Sequence, residues 1–366
     1  MAKVSIVKCK SYEPSEVQAQ AKLAFGLLGG IDSFIKKGER VLIKPNILSI
    51  RPPEDNVCTH IEVIRAVTRL VKDIGAVPLV GDNPGGSISF SKAYEASGLS
   101  ALSKEEGFEL CEVKSVKMHK GIPIANYVFE CDKIISLPKM KSHMLMGLTG
   151  AIKNMYGVVP GLYKTQCHKN FPTQEEFAKV LVDVFELVKP NIVLMDGVMG
   201  MDKEGPSSGR SRHIELLIAS PDSVALDAVF SSLVGIKPFR ILTTKEAHKR
   251  GLGEGNMDNI EILGENLKDS IIKDFKLPAL RGIIDILGPF AKNLARFVKF
   301  ELYIDKGLCK KCKVCAESCP VHSIMIDDGG LFIDSKKCLR CMCCHEVCPY
   351  GAVGLKRNIL AKIFGV

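Results

Sequence analysis

The sequence predicts an α/β domain built on a mostly parallel sheet with helices on both faces, followed by a small C-terminal α+β domain rich in cysteine. Three observations carry this. Short apolar, β-branched runs alternate with amphipathic segments through the first 265 or so residues, which is the pattern of strands covered by helices. Several of those runs lack polar alternation, as strands buried on both faces do. Nine of the 14 cysteines fall between Cys309 and Cys348. The chain has 366 residues, 46% apolar and 25% charged. That length suggests two or three domains at roughly 150 residues each, and the composition argues against general disorder.

The elements follow in order. Val4–Cys9 alternates with period two and reads as a strand. Ser15–Leu28 has helical spacing and stops at Gly29-Gly30. Arg40–Lys44 is a strand ending at Pro45-Asn46. Thr59 with Glu62 forms a capping box that opens a helix closed by Gly75. Ala76–Gly81, Lys133–Leu137 and Asn191–Met195 are further strands. Thr173 with Glu176 caps a helix running through Val188, and Ser220-Pro221 opens the helix Asp222–Val234. The α/β domain thus spans 1–265. An arm over 266–300 follows, with Leu277–Phe300 apolar and carrying Arg281, Lys292, Arg296 and Lys299. It reads as a packing linker, with a basic amphipathic surface for peripheral membrane contact as the alternative. A basic tail over 357–366 ends the chain.

Composition narrows the partners. No apolar run reaches the roughly 18 residues of a membrane-spanning helix. Met1-Ala-Lys-Val-Ser lacks a secretory signal pattern, so cytoplasm is the expected compartment and its thiols are expected to stay reduced. The formal net charge of +9 counts every cysteine as a neutral thiol and falls where a metal ionises them. With no Trp and 6% aromatics, the composition argues against nucleic acid; a basic iron–sulfur sensor of nucleic acid is the weakest reading.

The C-terminal part is an internal repeat. Leu302–Cys309 lines up with Leu331–Cys338, and the same 29-residue offset carries Cys309, Cys312, Cys315 and Cys319 onto Cys338, Cys341, Cys344 and Cys348. Each half reads C-x2-C-x2-C-x3-C-P, within a strand, cysteine loop, short helix, strand unit. Three cysteines at steps of three wrap one loop around a cube, while the fourth points away and ligates the other cluster. The expected metal ligands are therefore Cys309, Cys312, Cys315 and Cys348 for the first [4Fe-4S] cluster. Cys338, Cys341, Cys344 and Cys319 are those for the second. Zinc sites more often pair two C-x2-C knuckles across a longer gap. Cys343 falls outside the repeat and reads as a non-ligand, and His345 as a surface residue. Residues 301–356 resemble the bacterial two-cluster ferredoxins at every ligand position. That resemblance implies one-electron transfer at low potential and a redox partner protein.

In the α/β domain, polar residues crowd where strands are expected to end, the usual ligand-binding edge of such sheets. These are Lys44 and Asn46, Asp82, then Lys139, Lys141 and His143, then Asp196. Lys153, Asn154, Lys164 and His168 lie near glycine turns. Lysines beside glycines suggest a pocket for an anionic substrate. His143 and Asp196 are the candidate catalytic acid–base residues. A divalent metal at Asp82 or Asp196 stays open, as does a flavin, since many flavin sites lack a short motif. No phosphate loop and no H-E-x-x-H occurs. Gly251-Leu-Gly253-Glu-Gly255 follows a helix instead of a strand, which discounts it as a dinucleotide loop.

The segments Leu42–Leu48, Thr59-His60, Gly81–Gly85, Ser136–His143, Gly150–Gly157 and Asp196–Gly200 resemble those of the family known as domain of unknown function 362. That family frequently carries a ferredoxin module at its C-terminus, and the resemblance implies no substrate. The expected function is an iron–sulfur oxidoreductase relaying electrons to or from an anionic substrate. The alternative is a non-enzymatic electron carrier or maturation factor whose α/β domain docks a partner protein.

Overall fold

A computed structural model describes residues 1–278 and 300–358. The stretch 277–300 and the tail over 357–366 fall mostly outside the described residues. The α/β domain carries the strands β1 (Ala2–Lys8), β2 (Arg40–Pro45), β3 (Val77–Val80), β4 (Glu109–Leu110), β7 (Lys133–Leu137), β10 (Ile192–Asp202), β11 (Arg210–Ser220) and β12 (Ile260–Gly264). They pair in the order β12-β1-β11-β10-β7-β2-β3-β4. Every pairing along this path is parallel except those made by β11. A small hairpin, β5 (Val116–His119) and β6 (Ile122–Ala125), stands apart. The strand β8 (Lys139–His143) pairs with β10 and with β9 (Gly147–Leu148).

Helices cover both faces, and side-chain alternation shows why. Val41 and Ile43 of β2 pack with Val17 of α1 (Pro14–Gly26) and Val63 of α2 (Ile61–Asp73). Leu42, between them, packs on the other face with Phe177 and Leu181 of α7 (Gln174–Leu187). Val193 and Met195 of β10 meet Ala225, Val229 and Phe230 of α8 (Ser223–Leu233). An interior parallel strand buried on both sides needs apolar residues at successive positions. The remaining helices are α3 (Phe90–Ala96), α4 (Leu99–Glu106), α5 (Ala151–Asn154), α6 (Gly161–Asn170) and α9 (Leu242–Lys249).

Several local expectations shift. The capping box Thr173–Glu176 of α7 forms in full. At α2, however, the cap is His60, whose Nδ1 accepts from Glu62 N at 3.2 Å. Thr59 instead ties two strand ends together: its hydroxyl accepts from Asn46 N at 2.9 Å and donates to Leu137 O at 2.6 Å. At α8 the cap is Asp222, which accepts from Val224 N and Ala225 N. The strand expected to end at Met195 runs on to Asp202. Gly197 and Gly200 do not stop it, because Met140 and Ile214 occupy the space that their side chains would fill.

The C-terminal module follows the duplicated plan. Its first strand, β13 (Phe300–Ile304), pairs antiparallel with its last, β16 (Val353–Arg357). Between them β14 (Ile324–Asp327) and β15 (Gly330–Ile333) form the central hairpin. Each cysteine loop leads into a short helix, α10 (Val314–Glu317) and α11 (Cys343–Val347). His345 is buried, its ring nitrogens 2.7 Å from Val353 O and 3.2 Å from Glu204 O. The surface position expected of it is thus corrected: His345 is spent joining module to domain.

Further bonds fix the module on the domain. Ser87 N donates to Ser318 Oγ at 3.0 Å, Ser207 Oγ to Glu346 O at 2.7 Å, and Arg51 to Cys348 O at 3.2 Å. Gly86 sits under this contact with φ of +58°, and a Cβ there would run into the Ser318 side chain. The described part of the arm beyond 266 lies along β10 and β11, where Arg212 donates to Lys273 O and Asp274 O. As a test of the sheet's interior, Ile135→Ala in β7, fully buried, should cost about 2–5 kcal/mol, read as a lower urea midpoint.

Candidate functional site

Strands β2, β3 and β4 step outward from the middle of the sheet in one direction, while β7 and β10 step outward in the other. The sheet therefore reverses between β2 and β7, where ligands bind in open α/β folds. A cavity lies there, beyond the carboxyl ends of β2 and β3. Asn46, Asp82, His143, Lys153, Asn154, Lys164 and His168 line it. Cys343, Glu346 and Val347 of α11 close it from the module side. The cavity thus belongs to both domains.

The floor is set by a buried ion pair. Lys44 Nζ lies 2.7 Å from Asp82 Oδ1, both side chains being almost fully buried. The ammonium also donates to Pro45 O at 3.0 Å and to Asn154 Oδ1 at 3.4 Å. Asp82 Oδ2 accepts from Ile47 N at 2.6 Å. Asn154 Nδ2 returns to Lys44 O and to Ser136 Oγ. Burial lowers the Lys44 pKa, and Asp82 opposes the fall. This closed network orders the strand ends.

The walls carry groups that are less fully used. His143 Nδ1 accepts from Leu145 N and Met146 N, each at 3.2 Å, which leaves the ring proton on Nε2. That Nε2 is 3.2 Å from Glu346 Oε1, off hydrogen-bond alignment, so the two residues form a close electrostatic pair whose buried atoms have no hydrogen-bond partner. The side-chain nitrogen of Asn83 is likewise buried and unpartnered. Lys153 makes no ion pair with any described residue. Lys164 donates to Asn83 O and Pro84 O, and burial brings its pKa down to about 7. His168 stacks on Phe177 at 4.3 Å between ring centroids. Burial brings both His143 and His168 down to about 4, so both are neutral at pH 7.

Lys139, Lys141 and Asp196 lie off this cavity. Asp196 sits in the middle of β10, not at a strand end. Lys139 Nζ meets Asp196 Oδ2 at 2.8 Å, with both side chains fully buried. Tyr12 donates its hydroxyl to Asp196 Oδ1 at 2.8 Å and stacks on His60 at 3.5 Å. His60 N fills the second carboxylate oxygen at 2.9 Å. Lys141 donates to Val57 O at 2.6 Å and to Pro206 O at 3.3 Å. Sequence alone could not separate these lysines from Lys153. It also gave no sign of Glu346, Cys343 or Asn83, since the cavity joins stretches far apart in the chain.

The thiols of the module crowd together in groups. Cys309, Cys312, Cys315 and Cys348 line one small cavity together. Burial and then the nearby thiols Cys348, Cys312 and Cys309 push the Cys315 thiol up to about 12. Burial also pushes Cys344 well up, followed by Cys341, Cys315, Cys338 and Cys319. The thiols of Cys309, Cys312 and Cys348 thus lie near Cys315, those of Cys319, Cys338 and Cys341 lie near Cys344, and Cys315 is near both groups. Backbone amides donate to sulfur at Cys319, Cys338 and Cys348, at 3.2, 3.4 and 3.3 Å. Left-handed backbone recurs at Lys311 and Lys313 and, 29 residues on, at Arg340 and Met342, the kind of turn that gathers N–H groups around an anion. Crowded thiols are costly to ionise alone and become thiolates when a metal supplies positive charge. The residues fit iron–sulfur clusters. Among the described residues, no three His, Cys, Asp or Glu side chains converge on a point for a single metal ion.

A family model described as domain of unknown function (DUF362) matches residues 41–232, and one described as a 4Fe-4S dicluster domain matches 308–352. Over 317 residues the chain is 30% identical to the thylakoid-associated protein sll1697 of Synechocystis sp. (strain ATCC 27184 / PCC 6803 / Kazusa), covering 83% of this chain and 98% of that protein. A solved structure, the lactate racemase apoprotein from Thermoanaerobacterium thermosaccharolyticum, aligns with a TM-score of 0.40 at 10% identity. It covers 61% of this chain, and this chain spans about half, 55%, of that one. Among the described residues no helix is long and apolar enough to cross a membrane.

Two predictions follow from the geometry. Asp196→Ala leaves the Lys139 ammonium buried without its partner and should cost about 3–5 kcal/mol, seen as loss of denaturant resistance. The depressed pKa of His168 gives a second. Between pH 6.5 and about 4 the unfolded chain binds a proton there that the folded chain does not, so stability falls as pH is lowered through that window. His168→Gln should show a shallower fall than the wild type, in denaturation midpoints measured at matched pH.

Proposed function

The chain belongs to the domain of unknown function 362 family and carries a C-terminal 4Fe-4S dicluster ferredoxin domain, and we propose that it is an iron–sulfur oxidoreductase whose substrate is a small anion held between the two domains. The ferredoxin-type domain supports an iron–sulfur electron-transfer role. The proposal adds two [4Fe-4S] clusters, held by the two crossed cysteine sets, and a reaction in the cavity. When bound, such clusters supply single electrons at low potential.

One observation carries the reading. The cavity lined by Lys153, Lys164, His143 and His168 is walled by α11, and α11 also carries Cys344, assigned to the second cluster. Lys153 binds the anionic end of the substrate. Lys44, Asp82 and Asn154 keep the adjoining strand ends in place. His143 presents its Nε2 proton to the substrate. Lys164, with its pKa near neutrality, is the group best matched to give or take a proton at pH 7. The buried walls exclude water, which strengthens these polar contacts. Asp196, Lys139 and Lys141 act at a distance, by fixing the strands.

The test uses oxygen-free protein carrying about eight irons per chain, the content of two four-iron clusters. Reduced protein is mixed with a panel of small carboxylates and phosphates while cluster absorbance is followed. At least one anion should speed reoxidation, and Lys153→Ala should weaken that effect about tenfold or more with iron content unchanged. If no anion alters the rate, the cavity is not a redox substrate site and the carrier reading replaces this one.

A further inference from the structure

Each of the two cysteine loops is basic and exposed, and the first carries Lys310 and Lys313 beside Cys312 and Tyr350. The first loop, residues 306–313, carries Lys306, Lys310, Lys311 and Lys313 and no acidic residue. The second, residues 335–342, carries Lys336, Lys337 and Arg340 and again no acidic residue. All of these basic side chains are exposed. The nearest carboxylates in sequence, Asp305 and Asp334, are turned inward onto backbone amides: Asp305 accepts from Gly307 N and Leu308 N, and Asp334 from Lys336 N. None of the five lysines at 310, 311, 313, 336 and 337 makes an ion pair with a described residue.

Two further features mark this face as a place of contact. Leu308, Leu339 and Tyr350 are exposed among the charges, by 51%, 46% and 46%. Cys312, assigned to the first cluster, is the exposed one of the nine C-terminal cysteines. Apolar residues inside a charged rim are the usual anatomy of a recognition surface. The nearby cluster's own charge, roughly −2, and Glu317, which lines the groove beside Cys312, offset only part of the charge of Lys306, Lys310, Lys311 and Lys313. A groove beside Cys312 and Tyr350 continues this surface onto the α/β domain, where Lys92 and Glu95 line it.

We propose that this face docks a soluble one-electron carrier protein with an acidic surface, and that electrons enter or leave the chain beside Cys312. The positive rim steers an acidic partner by long-range attraction, which raises the association rate by ten to about a thousandfold at low salt. Leu308 and Tyr350 then supply the dry contact that brings the partner close to the exposed ligand. The transfer is a single electron from donor to acceptor, with no bond made or broken. The proposal stands whether or not the interdomain cavity turns over an anion, because it concerns the opposite route of electron flow.

The probe is a purified acidic plant-type [2Fe–2S] ferredoxin, mixed with the iron-loaded full chain without oxygen. Association is followed by surface plasmon resonance and electron transfer by stopped flow, at about 20 mM and 500 mM salt. The expected result is at least a tenfold loss of association rate in high salt. The triple variant Lys310→Glu, Lys311→Glu, Lys313→Glu should lose as much in low salt with its iron content unchanged. Should that variant fail to load iron, Lys336→Glu with Lys337→Glu and the salt series on the unaltered chain decide the question. Lys245→Glu, on a helix packed within the α/β domain, should have no effect. Association that ignores salt and rim charge, or that Lys245→Glu weakens equally, overturns the proposal. So does binding to phosphatidylglycerol vesicles, abolished by the triple variant, when the ferredoxin does not bind.

Discussion

Two ammonium–carboxylate pairs with almost no solvent access, Lys44–Asp82 and Lys139–Asp196, set the geometry of everything around the ligand edge of the sheet. A buried charge is tolerated only when its partner and its remaining hydrogen bonds are all present. Each pair meets that demand by recruiting residues from distant parts of the chain. Lys44 and Asp82 join β2 to β3 and reach Asn154. Lys139 and Asp196 join β8 to β10 and reach Tyr12 and His60. Removing any one member strands a charge, so the loops that follow these strands have little freedom to drift. Gly157 shows how tight the packing is, since a Cβ there would collide with both Asp82 and Lys44.

That rigidity lets a second domain complete the cavity. The α/β domain alone supplies the lysines, histidines and asparagines of one side. The other side comes from α11, which is held by hydrogen bonds from Ser207 and Arg51 and by His345 against Glu204. Among the buried polar atoms without a hydrogen-bond partner, His143 Nε2, Glu346 Oε1 and Asn83 Nδ2 belong to residues that line this cavity. Buried polar groups are ordinarily hydrogen-bonded, so three such atoms in one cavity mark it as a place where a polar ligand could be held.

Much of the architecture was legible because it is written in local or periodic signals. Strand burial, the Thr173–Glu176 box and the 29-residue repeat each depend on residues close in sequence. The β10 strand was cut short because Gly197 and Gly200 look like turn residues, while the space above them is filled by Met140 and Ile214 from other strands. Thr59 resembled a cap and instead bridges β2 and β7. His345 was misjudged because its partners, Glu204 and Val353, lie on other elements. The site itself was half readable. Lysine-rich words at strand ends marked the right region, but whether a given lysine is neutralised depends on a carboxylate tens of residues away. Lys153 and Lys139 look alike in sequence and differ only in that Lys139 has found Asp196.

The pairing of β13 with β16 joins the first strand of the module to its last. Neither half of the duplicated unit therefore closes on its own. The α/β domain precedes the module in the chain, and the wall formed by α11 comes only with residues 343–347. Without that wall the cavity would lack Cys343, Glu346 and Val347 on one side. The chamber's wall and the second run of cysteines, Cys338 to Cys348, occupy the same stretch of polypeptide, so a chain broken before residue 338 would lack both together.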